Sequence, residues 1–174
     1  MPTRLLRMPP RSQLDLLAAH VQGEHALGRS VLIVTASHPA PVIVRHFEKA
    51  GVNLQRVFVI DAVGSRAGVE RTHDPDHLMY VPGPTQLELI AMRAEKVIRQ
   101  KAEGPPTVVI CTMNAFSLYN ATDTLEELIR YVVHSLARPK STIDFIVEDG
   151  TPIDQALKEV LENFVDSTVN VQGP

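Results

Sequence analysis

Short apolar runs alternate with amphipathic stretches along this chain, and the alternation predicts its elements. Residues 31–35 (VLIVT), 56–61 (RVFVID), 107–110 (TVVI) and 143–147 (IDFIV) are largely β-branched runs of strand length. Runs of this kind mark strands buried on both faces, because a strand with one solvated face alternates apolar and polar residues. Thr3–Met8 (TRLLRM), residues 78–81 (LMYV) and residues 165–171 (VDSTVNV) predict three further strands, the last at a sheet edge.

Helical patterns lie between the strands. Ser12 with Asp15 reads as an N-terminal cap, and Leu14, Leu16, Leu17 and Val21 as the apolar face of a helix reaching about Leu27, with Gly28 as its stop. Ser37 with Pro39 or Pro41 opens a second helix that carries Val42, Val44 and Phe47 and closes at Gly51. Gly83-Pro84-Thr85 with Glu88 predicts a capping box for a helix over 85–102. Thr124 with Glu127 starts a helix to about residue 137, and Thr151-Pro152 with Asp154 starts one to about residue 163. Residues 62–77 are polar and irregular, and residues 114–120 predict a functional loop beyond the strand that ends at Cys111.

Strands joined through helices of crossover length pair in parallel. The expected fold class is therefore α/β, a three-layer α/β/α sandwich around a mainly parallel sheet, as one domain over residues 1–174. Composition agrees: 174 residues with 44% hydrophobic and 21% charged can bury a sizeable core. A net charge of −3 and a pI near 6.1 give no electrostatic footprint for nucleic acid or membrane. No apolar run approaches the roughly 20 residues of a membrane helix, and the arginine-bearing start lacks a leader's apolar core, so a cytoplasmic location is expected. One cysteine excludes an intramolecular disulfide and a cysteine-based zinc cage.

Open α/β sheets bind ligands beyond the carboxyl ends of their strands, which directs attention to Asp61, Cys111 and Glu148-Asp149. Carboxylates there bind magnesium or act as bases, but they also end buried strands and feed turns, and the second reading is favoured. Cys111 would need a lowered pKa to act as a nucleophile; a small packed hydrophobe is the favoured role. Ser37-His38 reads as capping the helix at Pro39, since adjacency alone makes no nucleophile–base pair. Residues 23–30 (GEHALGRS) are one substitution from a phosphate-loop pattern, yet they run from helix to strand, the reverse of the working order, and read as a turn. His73-Asp74-Pro75-Asp76-His77 gathers two imidazoles and two carboxylates suited to a first-row metal, weighed against an ordinary solvated turn. Asn120 after Tyr119 either offers its amide to a ligand or turns the chain, with the turn favoured.

In order and spacing, residues 27–37 (LGRSVLIVTAS), 57–65 (VFVIDAVGS), the helix within 83–98, 108–120 (VVICTMNAFSLYN) and 164–171 (FVDSTVNV) resemble a RecA-type domain of the KaiC-like branch. The likeness is greatest to archaeal members whose nucleotide motifs have decayed. The resemblance implies a phosphate loop at residues 7–13 (RMPPRSQ), where Arg11 and Ser12 are the only remnants. It also places Ala36-Ser37-His38 where the family has its catalytic glutamate, and Cys111-Thr112 at the magnesium aspartate. Losing cradle, base and metal ligand together argues against ATP hydrolysis, because catalysis of phosphoryl transfer is mostly positioning and electrostatics.

The resemblance thus implies a non-catalytic RecA-like domain, used as a sensory, regulatory or scaffolding module and self-associating. Arg11, Ser12, Cys111, Thr112 and Asn114 are its degenerate nucleotide-site positions. Nucleotide binding without hydrolysis, through Arg11, Ser12 and nearby amides, is the alternative, followed by a small enzyme using Asp61, Glu148 or the 73–77 loop. The expected partner is another protein or a second copy of the chain, with a nucleotide or small ligand as the other option. No cofactor, metal, nucleic acid or membrane is expected.

Overall fold

Seven parallel strands form one sheet in the order β4-β3-β2-β5-β6-β1-β7 in the computed structural model, which describes residues 2–63, 76–136 and 138–172. In chain order these are β1 (Thr3–Met8), β2 (Ser30–Thr35), β3 (Val57–Asp61), β4 (Leu78–Tyr80), β5 (Pro106–Cys111), β6 (Thr142–Glu148) and β7 (Ser167–Asn170). The helices are α1 (Gln13–Ala26), α2 (Ala40–Lys49), α3 (Leu87–Gln100), α4 (Met113–Ser117), α5 (Thr122–Ser135) and α6 (Gln155–Phe164). All residues of β2, β3 and β5 are buried, which is why these strands read as continuous apolar runs. Their side chains alternate between two cores. Val31, Ile33, Val59 and Val109 face α1 and α2, while Leu32, Ile60, Val108 and Ile110 face α3, α4, α5 and α6. No helix among the described residues is long and apolar enough to cross a membrane.

Several local expectations need correction. The segment after Cys111 is a short helix, α4, rather than an open loop. On α2 the buried residues are Ala40, Ile43 and Phe47, an i, i+3, i+7 stripe that leaves Val42 39% exposed. Ser12 makes no capping hydrogen bond; α3 starts after Gln86 and α5 after Ala121, so Thr85 lies outside its helix and Thr124 inside the first turn. Caps do form at Thr112, whose Oγ1 accepts from the Ala115 amide, and at Asp154, which accepts from the Ala156 amide. The edge position of β7 is as expected, and its four residues are exposed.

A buried charge network lies near the amino-terminal edge of the sheet, below α1. The Arg4 guanidinium donates to Asp144 Oδ1 at 2.6 Å and Oδ2 at 2.7 Å, and to Glu24 Oε1 at 3.0 Å. Arg29 at 2.7 Å and the Thr107 hydroxyl at 2.6 Å donate to the other Glu24 oxygen. His20 Nε2 lies 2.8 Å from Asp144 Oδ2. Burial alone would raise the Glu24 pKa, but hydrogen bonds from Thr107, Arg29 and Arg4 reverse this and hold it at about 2. Glu24 therefore contributes stability in full above its ordinary value of 4.5, and this is lost as pH falls towards about 2. In urea titrations at successive pH values, Glu24→Gln is expected to flatten the acid-side loss of stability across that window by up to about one proton.

Candidate functional site

Because all strands are parallel, the segments leaving β1, β2, β3, β5 and β6 meet along one edge, where sheets of this class bind ligands. Of the expected nucleotide positions on this edge, Cys111, Thr112 and Asn114 are closed onto the protein itself. Cys111 is fully buried, with Sγ 3.9 Å from Ser37 Oγ. Burial pushes its thiol up to about 12, with the Glu148 charge adding to the shift and the Ser37 hydrogen bond opposing it, so no thiolate nucleophile forms near neutral pH. The Cys111–Thr112 peptide is cis. Thr112 is buried and spends its oxygen on capping α4. Asn114, 5% exposed, accepts from the Glu148 amide at 2.8 Å and donates to the Thr151 carbonyl at 3.4 Å, clamping the turn between β6 and α6.

A phosphate cradle needs convergent backbone N–H groups, and Pro9 and Pro10 have none. The chain makes one 3₁₀ turn (Pro10–Ser12) and enters α1 directly. Arg11 is exposed and Ser12 half-buried, and β6 separates β1 from β5. At about 4.8 Å per strand, the two halves of the expected site stand about 10 Å apart at the backbone. Gln13, the first residue of α1, is 1% exposed, and neither end of its side-chain amide has a partner among the described residues. One cavity on this edge, lined by Arg7, Glu148, Asp149 and Lys158 among others, holds about 140 Å³, below the roughly 300–1,000 Å³ of a drug-sized ligand site.

The other polar candidates make hydrogen bonds within the fold. Asp61 is buried, and its carboxylate accepts from the Ala40 amide at 2.6 Å and the Val63 amide at 2.7 Å, holding the start of α2. The capping role expected of Ser37-His38 thus falls to Asp61. Ser37 Oγ instead lies 3.0 Å from His38 Nδ1, while the Ser37 and His38 amides both donate to Thr35 Oγ1. With those amides engaged, this turn offers no oxyanion donors beside the serine. Burial lowers the His38 pKa, against an opposing pull from Glu148. Asn120 donates to the Pro84 and Phe116 carbonyls, in keeping with its turn role.

Residues 73–75 of the loop weighed between metal ligation and a solvated turn lie outside the described residues. Of the rest, Asp76 pairs with Lys101 at 2.9 Å, and the His77 ring stacks on Phe58. The donor set that does converge among the described residues is His20, Glu24 and Asp144, whose ligand atoms lie within 4.8 Å of one another. Arg4 bonds both carboxylates there, so a guanidinium already supplies the positive charge. Sequence reasoning missed this cluster; its one local signal is Asp144, a charge inside a buried strand.

No protein-family profile matches the chain, and no curated protein sequence matches it. Solved structures do. An uncharacterised Pyrococcus horikoshii protein, crystallised in complex with an unknown peptide, superposes with a TM-score of 0.68 at 17% identity, over 99% of this chain and 78% of that one. A KaiC-like protein from the same archaeon gives a TM-score of 0.59 at 16% identity, over 98% of this chain and 72% of that one. The fold is that of the KaiC-like, RecA-type α/β/α proteins. At these identities the likeness concerns the fold alone.

Proposed function

We propose that this chain is a non-catalytic RecA-like module with a sensory, regulatory or scaffolding role, exercised through protein contacts that include self-association. The observation that carries this reading is the closure of the carboxyl-terminal edge. Cys111 is packed, Thr112 caps α4, Asn114 clamps the β6–α6 turn, and Pro9-Pro10 stand where a phosphate cradle needs donors. Phosphoryl transfer requires a metal, a positioned base and a charged cradle acting together, and at the positions the resemblance assigns to them the described residues are Cys111-Thr112, Ala36-Ser37-His38 and the Pro9-Pro10 segment. The unknown peptide bound to one of the structural relatives is consistent with a protein-facing role.

A second reading, nucleotide binding without hydrolysis, is favoured by one observation: the amide of Gln13 at the start of α1, which has no partner among the described residues, beside the exposed Arg11. Phosphate release from ATP and GTP in the presence of magnesium tests the first reading. Release at the no-protein background is expected; magnesium-dependent turnover abolished by Arg11→Ala would overturn it.

A further inference from the structure

We infer that copies of this chain assemble head to tail, with the outer face of α2 of one copy seated in the groove between α3 and α5 of the next. This rests on the self-associating reading above and gives it a surface. The groove has a volume of about 660 Å³ and an apolar floor of Leu87, Ala91 and Leu128, with Met92 67% exposed beside it. Glu88 on α3 and Glu127 on α5 also line it; both are exposed, and among the described residues neither forms an ion pair. A tenant with apolar contacts flanked by cations would complement it.

The outer face of α2 has that chemistry. Val42, Arg45 and Lys49 stand at i, i+3 and i+7, all exposed, and with the neighbouring exposed Glu48 the face keeps a net positive charge. Among the described residues, Arg45 and Lys49 form no ion pair; the pairing on this helix is His46 with Asp15. Groove-to-groove docking about a two-fold axis would bring Glu88 and Glu127 against their own copies, a like-charge contact that is disfavoured. Docking α2 into the groove joins opposite charges. Since α2 covers one face of the sheet and α3 and α5 the other, the contact is heterologous and repeats from copy to copy.

The test is molar mass by light scattering across a wide concentration range at low salt, with thermal unfolding confirming that each variant is folded. The wild-type chain should gain mass with concentration. The variant Arg45→Glu/Lys49→Glu and the variant Glu88→Lys/Glu127→Lys should each remain monomeric alone. An equimolar mixture of the two should regain assembly, because each then presents to the other the charge its own surface repels. Assembly by both variants alone, or a mixture that stays monomeric, would overturn this interface while leaving self-association standing. A wild-type chain monomeric at every concentration would overturn both.

Discussion

Asp144→Asn is expected to lower folding stability by about 3–5 kcal/mol in urea denaturation, because removing one partner from a buried ion pair strands the other. Asp144 is fully buried in the interior of β6, where its two oxygens take the Arg4 guanidinium side-on and one also meets His20. Asparagine keeps the shape but presents an N–H₂ where an acceptor is needed. For a chain of this length the midpoint temperature should fall by roughly 2–4 °C per kcal/mol. Combining Arg4→Met with Asp144→Asn should cost less than the sum of the single changes, since the stranded guanidinium is then gone. Additive losses would mean that the pair is not coupled as described.

The second large effect concerns Cys111. Cys111→Asp restores by residue type the magnesium ligand that the RecA resemblance leads one to expect, yet it should restore no magnesium binding. The carboxylate would enter a fully buried position whose neighbouring polar atom is the Ser37 hydroxyl, and desolvating an unpaired charge costs several kcal/mol. The expected outcome is a loss of about 3 kcal/mol or more near neutral pH, partly recovered in mild acid as the group protonates, and no stabilisation by magnesium. Magnesium-dependent recovery of the lost stability would show that the site can still be completed.

The fold was more legible in the sequence than the site. Buried parallel strands announce themselves through unbroken runs such as VLIVT, and the resemblance to KaiC-like domains drew on the order of those runs; the structure agrees on both. Helix starts were less legible, because Thr85 and Thr124 have capping chemistry but the backbone enters each helix elsewhere. Short helix α4 looked like a loop, since five residues hold too little periodicity to read. The Arg4–Glu24–Arg29–Asp144 cluster was invisible because its members are scattered along the chain and joined by β1–β6 pairing and the packing of α1. Conversely, Asp61 invited a functional reading from its place at a strand end, while its hydrogen bonds from the Ala40 and Val63 amides hold the start of α2.

The central claim is that the strand-end edge has closed where nucleotide would bind, and a thermal unfolding titration with magnesium–ATP tests it most directly. A ligand held by the native state alone at one hundred times its Kd adds about 2.7 kcal/mol, or roughly 5–10 °C for a chain of this size. The account predicts no rise in the unfolding temperature at millimolar magnesium–ATP. A saturable rise of that size, lost in Arg11→Ala, would contradict it.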